Sequence, residues 1–265
     1  MGEGIENYIE RVVPYGIAIL AAGAVASSVI KYLFVTSVRP PDEKIASYLE
    51  RAEANARDGR FGASKRQFRK ADKLLPRAQS QISQEQLGEL RTASYKDGIE
   101  YCLNAAIERV ALGDFHEMDH FILEASRFAS ALNTSLQPEI LRTIGAAAYA
   151  KRFELASQSA LSGGLTESVR HLTEAQKLNS RFKLNVTHAE FADSKKSVYS
   201  PARERYLELA AKAFIHDDDL SGAETLLSNA LMCQWNGKLE PDGRIESLGD
   251  RIRTVWADLR TRDPD

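Results

Sequence analysis

Cysteine and tryptophan are scarce in this chain of 265 residues, which holds two of each. Neither Cys102 nor Cys233 has a second cysteine at the spacing of a zinc site or a disulfide framework, so both kinds of small stapled domain are excluded. We interpret the two thiols as buried small side chains in a reducing compartment. An excess of charge is also missing: the net charge is −2 with 27% charged residues, which favours no nucleic-acid partner.

Motifs for phosphate binding and nucleophilic catalysis are missing as well. Ser162-Gly163-Gly164 is rich in glycine, but no Lys-Ser or Lys-Thr follows it and no strand pattern leads into it. No Gly-x-Ser-x-Gly sequence occurs. We therefore predict a protein that is not an enzyme and that carries no cofactor.

One segment, residues 116–120, has the H-E-x-x-H pattern. On a helix this spacing puts His116 and His120 on one face, where they can bind zinc, and Glu117 can act as a general base. It resembles the zincin signature, but Asp119 is charged where that family has an uncharged residue, and no strand precedes the segment. We interpret the histidines as surface residues at a helix N-terminus and predict no metal, keeping a zinc metallohydrolase as the third-ranked alternative.

An uncharged run covers residues 12–30, and a second apolar stretch extends it to residue 35. About 20 such residues cross a bilayer as a helix. We predict a single transmembrane helix over 12–35, preceded by a short segment, 1–11. Alternatives are a cleaved signal peptide, a buried core helix and an interfacial helix. The three glutamates of residues 1–11 count against a signal peptide, which has a basic start.

The charges on either side of the predicted span indicate its orientation. Arg11 is the only basic residue before it, whereas Lys31 lies near its C-terminal end and Arg39 and Lys44 follow it. By the positive-inside rule the C-terminal domain faces the cytoplasm. Within the span, alanines 18, 22 and 26 share one face, a small-residue pattern that lets membrane helices pack and gives a homo-oligomer as one option. Residues 36–41 form a proline-rich spacer before a soluble domain over 42–265.

A phrase recurs four times in the soluble domain. Each copy has an alanine, a Gly or Asp seven residues later, a large apolar residue two further on, and then small and apolar residues at helical spacing up to a final alanine. The copies are Ala52/Gly59/Phe61/Ser64/Phe68/Ala71, Ala106/Gly113/Phe115/Met118/Ile122/Ala125, Ala156/Gly163/Leu165/Ser168/Leu172/Ala175 and Ala211/Asp218/Leu220/Ala223/Leu227/Ala230. The pattern predicts two helices joined by a tight turn, in which Gly permits a left-handed residue. We predict a structural role for the residues of the phrase.

These hairpins resemble the tetratricopeptide repeat, and the first copy, with Pro76 after it, matches best. The resemblance implies an all-α solenoid of four helical hairpins that binds other proteins. The copies lie farther apart than the family's 34 residues, so we expect longer helices. The basic clamp that some members use for chaperone tails does not carry over, because Leu49, Glu53 and Ala56 occupy the matching face.

Helix signals predict the element bounds. A capping box at Ser83 starts a long helix toward Leu112, and Pro138 starts another that breaks at Gly163. Residues 180–197 have no clear helical period, so we predict a connection there, with a new helix starting at Ser200-Pro201. A C-terminal helix from Gly243 to about residue 260 carries one apolar stripe, which either closes the stack or docks a partner.

Basic residues concentrate in the first hairpin. We predict that they form its partner-binding face: Arg57, Arg60, Lys65, Arg66, Arg69, Lys70 and Lys73. The partner is a protein with an acidic surface or, as the first alternative, anionic lipid headgroups, which attract basic residues held near a bilayer. The sequence thus predicts a single-pass membrane scaffold that recruits a protein, or a lipid-binding, membrane-shaping module.

Overall fold

A computed structural model describes residues 40–77, 82–216 and 219–262. Over these ranges the chain forms nine α-helices and no strand, which confirms the all-α prediction. The helices are α1 (Pro40–Arg57), α2 (Phe61–Leu74), α3 (Gln84–Leu112), α4 (Phe115–Ala131), α5 (Pro138–Ser162), α6 (Leu165–Phe182), α7 (His188–Ile215), α8 (Leu220–Gly237) and α9 (Gly243–Arg262). A short 3-10 helix, Leu75–Arg77, extends α2.

The described residues divide into two compact units, one ending at Ile140 and the other beginning at Leu141. We call them unit 1 and unit 2 and describe each by itself. In unit 1, α1 packs on α2 and α3 packs on α4, giving two helical hairpins. In unit 2, α5 and α6 share one apolar cluster, α7 packs on α8, and α9 packs against both α7 and α8. The nine described helices are therefore consistent with the predicted helical solenoid.

Local sequence explains how the hairpins turn. Gly59, Gly113 and Gly163 all have positive φ, between 70° and 98°, which is a backbone conformation that glycine adopts at little cost. At Ser83 the predicted capping box is present: the Gln86 amide donates to the serine hydroxyl and the glutamine side chain accepts from the Ser83 amide. Both signals were readable in the sequence, and both are confirmed.

Aromatic rings dominate the core of unit 1. Tyr95 of α3 lies edge to face against Phe68, Phe128 and Phe61, with ring centroids 5.5 to 5.7 Å apart. Phe61 also meets Phe128 at 5.1 Å. Edge-to-face pairs add about 0.5–1.5 kcal/mol each beyond the area they bury. The cluster therefore joins α2, α3 and α4 around one point.

The core of unit 2 combines apolar side chains with two hydrogen-bonded tyrosines. Tyr199 and Tyr206 of α7 lie among small residues of α5 and apolar residues of α6 and α8. The Ser168 hydroxyl donates to the Tyr199 hydroxyl at 3.3 Å, and the Tyr206 hydroxyl donates to the Ala160 carbonyl at 2.6 Å. A second cluster, with Ile252 of α9 among its members, lies between α7, α8 and α9. The apolar stripe of α9 is thus largely buried within the unit.

The predicted helix start at Ser200-Pro201 is wrong. Residues 188–197 are helical, because Thr187 and Glu190 form a capping box that starts α7 at His188. Pro201 lies inside α7 instead of opening it. At the first hairpin, α1 begins at Pro40, because proline suits a first helical turn.

The repeat phrase marks buried positions. Seven of its eight terminal alanines have no exposed surface: Ala52, Ala71, Ala106, Ala125, Ala156, Ala175 and Ala230. The eighth, Ala211, is half-buried, and its neighbour Ala210 takes the fully buried place. The connection after α7 spans four residues, 216–219, against two or three at the other turns, which shifts the register by one. Long first helices of 29, 25 and 28 residues account for the wide repeat spacing.

Positions between the alanines of the phrase are buried as well in unit 2. Leu172 of α6 is buried in the apolar cluster that contains Tyr199. Ala223 of α8 has no exposed surface and belongs to the cluster that contains Ile252. Both residues are therefore core residues of unit 2.

The predicted transmembrane helix over residues 12–35 lies outside the described residues, as do residues 1–11 and most of the spacer. Among the helices that the structure describes, none is long and apolar enough to cross a membrane. The soluble domain predicted over 42–265 accounts for all described residues but two.

Candidate functional site

Four basic residues share one face of α2. The set is Arg66, Arg69, Lys70 and Lys73, which lie at positions i, i+3, i+4 and i+7, so that residues three and four apart are neighbours on one helix face. All four side chains are exposed. We call this set the basic stripe. It contains four of the seven residues that the sequence predicts as a partner-binding face.

Among the described residues, no carboxylate neutralises the basic stripe. Asp72 is the only acidic residue of α2, and both of its oxygens are held by Arg91 of α3, at 2.6 and 2.7 Å. None of the four stripe residues makes an ion pair with a described residue. The Lys70 ammonium lies over the Tyr48 ring of α1, 5.4 Å from its centroid. The face is therefore positive and open to an incoming anion.

The remaining predicted residues divide into two groups. Arg57 is held by Glu53 at 3.0 Å. Lys65, whose ammonium lies 5.3 Å from the centroid of Phe61, is half-buried, whereas Lys70 is exposed although it too lies over a ring. Arg60 is exposed at the turn between α1 and α2 and makes no ion pair with a described residue. Arg60 thus belongs with the stripe as a cation open to a ligand, and Arg57 and Lys65 do not.

In unit 2, two residues of the repeat phrase lie in the core and not on the surface. Leu172 and Ala223 are buried, so neither side chain can contact a partner. Both were predicted as structural residues of the phrase, and neither belongs to a binding site.

A groove of about 560 Å³ opens beside the turn between α1 and α2. We call it the hairpin groove. Its wall consists of residues from the turn, from the first two turns of α2, and from α3 and α4: Asp58, Gly59, Arg60, Gly62, Ala63, Arg66, Tyr101, Glu117, His120, Phe121, Glu124 and Arg127. Arg66 lines the groove and also begins the basic stripe, so the two features are continuous.

Aromatic rings form one side of the hairpin groove. Tyr101 of α3 is 42% exposed and meets Phe121 of α4 edge to face, with centroids 6.2 Å apart. The His120 ring packs against Phe121 at 5.7 Å. Sequence reasoning missed Tyr101 and Phe121, because they face a groove that only the packing of α3 against α4 creates. Both rings offer an aromatic edge or face to a ligand.

Glu124 is a buried carboxylate at the base of the groove. One oxygen accepts from the Phe61 amide at 3.2 Å, and the other is paired with Arg127. The amide is one of those that a helix N-terminus leaves without an internal partner. Sequence reasoning missed this residue too, although a signal exists: Glu124 lies on the apolar face of α4, one turn from both Phe121 and Phe128.

Cys102 lies behind the turn and is not a reactive thiol. Its Sγ atom is 3.9 Å from the Gly59 carbonyl oxygen, and the residue is fully buried. Burial, helped by the nearby Glu124 carboxylate, raises the pKa of the thiol to about 12. At neutral pH the sulfur therefore stays protonated and acts as a packing group.

The two histidines of the H-E-x-x-H segment are both exposed near the start of α4. His120 and Glu117 line the hairpin groove, whereas His116 does not. Across the described ranges, no group of three His, Cys, Asp or Glu side chains is placed to hold a metal ion. A zinc hydrolase needs at least three protein ligands, so the described residues offer it no complete site.

Unit 2 has a smaller concavity of about 310 Å³, lined by Leu231, Gln234, Trp235, Lys238 and Leu239. Trp235 is 84% exposed, and Leu231 beside it is half-exposed. This apolar surface on α8 shares no residue with the hairpin groove or with the predicted basic face.

Comparison with known proteins finds no matching family model, no matching curated protein and no matching solved structure.

Proposed function

We propose that this chain is a membrane-anchored scaffold that recruits a protein partner through a tetratricopeptide-like helical repeat domain. The observation that carries the proposal is the basic stripe, four exposed cations with no described carboxylate to pair with, continuous with the hairpin groove. Surfaces that combine free charges with a concave aromatic site are suited to binding a macromolecule. The helical-hairpin architecture and the buried alanines support the tetratricopeptide resemblance.

Anchoring in a membrane would let such a scaffold concentrate its partner there. In this proposal residues 12–35 span a membrane, and the repeat domain stays on the cytoplasmic side, alone or in a homo-oligomer. Confinement beside a bilayer raises the local concentration of whatever the domain binds, so no chemistry is required of it.

Charge reversal of the stripe tests the proposal. We expect the triple variant Arg66→Glu, Arg69→Glu, Lys70→Glu to lose its partner in affinity capture of the full chain from its native membranes. Reversal replaces attraction by repulsion at three adjacent sites, which lowers the association rate and the affinity together. The measurement is the partner's recovery by quantitative mass spectrometry, relative to the wild-type chain.

A matched control carries the same change in charge elsewhere. Arg142, Arg205 and Lys212 are exposed residues of unit 2, and none makes an ion pair with a described residue. The control triple variant, with glutamate at these positions, should retain the partner. Equal recovery from the two triple variants would show that the stripe is not the contact.

Anionic lipid is the second candidate, and the same stripe favours it. Basic residues near a bilayer contribute about 1 kcal/mol each in attraction to acidic headgroups. A chain lacking residues 1–41 should then sediment with phosphatidylserine vesicles in low salt and be released by high salt. If the stripe binds a protein and no lipid, the stripe triple variant loses the protein partner, and the chain lacking residues 1–41 does not sediment with the vesicles, with or without the triple substitution.

A further inference from the structure

The charged side chains that line the hairpin groove favour neither an anionic nor a cationic ligand group. Three arginines and three carboxylates line it, and one of each, Arg127 and Glu124, are paired with each other. The remaining ionic groups, Arg60 and Arg66 against Asp58 and Glu117, also balance. A ligand group that enters the groove is therefore best neutral, because a charged one would meet a like charge whichever sign it carried.

The aromatic side of the groove adds a preference for shape. Tyr101 and Phe121 lie edge to face, and Tyr101 keeps 42% of its surface exposed. A third ring or other flat side chain can stack on the Tyr101 face, which is worth about 0.5–1.5 kcal/mol beyond the area buried. The volume of about 560 Å³ admits a bulky side chain.

Outside the groove the charge preference becomes strong. Arg66 stands at the groove, and Arg69, Lys70 and Lys73 continue from it along α2. A polypeptide that holds one side chain in the groove therefore passes over exposed cations that form no ion pair with a described residue. Carboxylates there would meet complementary charge, with no described acidic residue competing for it.

We infer that the partner of this site, if the proposed function holds, is an acidic polypeptide segment that carries one bulky, neutral, flat side chain. The side chain occupies the hairpin groove against Tyr101, and the flanking carboxylates lie along the basic stripe. A membrane surface fits less well, because headgroups attracted to the stripe place no flat, neutral group in the groove. This site is on α2 and at the hairpin turn, away from the face of α1 that holds Leu49, Glu53 and Ala56.

Gly62 offers a way to fill the groove without disturbing the fold. It lines the groove within α2, and a Cβ atom built there meets nothing within 4 Å. We expect Gly62→Leu to fold normally and to occlude the anchor site. Gly88 in α3 is the matched control, because its Cβ would also meet nothing within 4 Å, yet Gly88 does not line the groove.

Synthetic peptides are the direct probes. One alternates aspartate and serine around a central tryptophan, the second has alanine in place of tryptophan, and the third has asparagine in place of aspartate. Anisotropy of a dye on each peptide measures its affinity for the full chain in uncharged detergent. We expect about a tenfold loss on removing the tryptophan, equal to about 1.4 kcal/mol, at low and at high salt alike. The loss on removing the aspartates should be larger at low salt than at high salt.

The variants give the second readout. Gly62→Leu should weaken the tryptophan peptide by about tenfold and leave the alanine peptide unchanged, whereas Gly88→Leu should change neither. Equal binding of the tryptophan and alanine peptides, or no binding of any peptide, overturns the inference. The inference is also overturned if the chain binds phosphatidylserine vesicles, Gly62→Leu binds them equally well, and no peptide competes with the vesicles.

Native partner capture separates this inference from the proposed function. If the stripe triple variant loses the partner but Gly62→Leu retains it, the proposed function stands and the anchor inference falls. If both variants retain the partner, the proposed function falls as well. Loss in both, with retention in Gly88→Leu, supports the two together.

Discussion

The turn at Gly59 in unit 1 and the turn at Gly163 in unit 2 are nearly the same local structure. Both glycines have positive φ, 70° and 98°. In each turn the amide after the glycine donates to the carbonyl five residues back: Arg60 to Asn55 at 2.7 Å, and Gly164 to Ser159 at 2.8 Å. In each, the next residue is the first of a helix and is apolar. The repeat phrase therefore specifies the turn itself in both units.

The two turns differ in how they are held to a neighbouring helix. In unit 1 the turn offers a donor, the Phe61 amide, to the buried carboxylate of Glu124. In unit 2 the preceding helix offers an acceptor, the Ala160 carbonyl, to the hydroxyl of Tyr206. Both backbone groups lie at helix ends, where partners within the helix are missing, and the Phe61 amide also donates to the Gly59 carbonyl at 3.2 Å. The same local turn is thus held by two unrelated long-range hydrogen bonds, and the residues around each turn differ accordingly.

Alanine at the two glycines gives the largest expected difference. A Cβ at Gly59 would lie 2.9 Å from the Cys102 sulfur and 3.2 Å from the Tyr101 ring, whereas at Gly163 it would meet only the Tyr206 hydroxyl at 3.8 Å. Backbone strain of about 1–2 kcal/mol applies to both variants. Overpacking adds roughly 1–3 kcal/mol to Gly59→Ala alone. Hydrogen exchange of amides in α2 and α6 measures each hairpin's opening free energy.

Cys102→Ala provides the control for that prediction. Removing the sulfur relieves the closest contact of the new methyl group, so Gly59→Ala should cost less in the Cys102→Ala background than in the wild type. Equal costs at Gly59 and Gly163, or no relief by Cys102→Ala, would mean that backbone conformation alone distinguishes glycine at these sites.

Sequence reasoning reached the local part of this comparison and missed the long-range part. The glycine turns, the Ser83 capping box and the buried alanines follow from spacing within one repeat, so they could be predicted. Glu124 is 63 residues from Phe61, and Tyr206 is 46 residues from Ala160. No pattern within a repeat links such pairs. The basic stripe was visible as sequence, but its freedom from ion pairs depends on Arg91, a residue of another helix, holding Asp72.

The two long-range bonds should differ in what they contribute. Tyr206→Phe leaves the Ala160 carbonyl buried without its donor, which costs about 1–2 kcal/mol. Glu124→Gln keeps an oxygen that can accept from the Phe61 amide and replaces the oxygen facing Arg127 by an NH2 group, so the ion pair is lost. Because the Arg127 side chain is half-exposed and its charge is screened by solvent, we expect a cost of less than about 1 kcal/mol. Urea unfolding of the full chain in detergent, followed by circular dichroism, ranks the two variants.

Tyr149→Phe is the control for the tyrosine. The Tyr149 hydroxyl is buried and has no hydrogen-bond partner among the described residues, so its removal should be neutral or stabilising. If Tyr206→Phe costs no more than Tyr149→Phe, the hydroxyl of Tyr206 does not hold the turn in unit 2.

The smallest expected effect is an opposite response of the two units to pH. In unit 1, burial raises the pKa of Glu53 above its ordinary value near 4.5, although Arg57 opposes the shift. The folded state then holds this proton more tightly than the unfolded state, so the group's stabilising contribution is present below pH 4.5 and is lost as pH rises through the folded pKa. In unit 2, hydrogen bonds from Arg244 lower the pKa of Asp242 to about 2. Its contribution is present above its ordinary value near 3.8 and is lost as pH falls toward 2.

Neutral substitutions convert these opposite signs into a measurement. Glu53→Gln removes a carboxylate that burial penalises, so its stability relative to wild type should improve as pH rises from 4 to 7. Asp242→Asn removes a carboxylate that Arg244 and Arg203 stabilise, so its stability relative to wild type should worsen as pH rises from about 2 toward 3.8. Each change should stay below about 1 kcal/mol, because solvent screens both groups in part. Urea unfolding at several pH values gives the two slopes. Slopes of the same sign would mean that burial does not dominate at Glu53 or that the arginines do not hold Asp242, and the contrast between the units would then be confined to their turns.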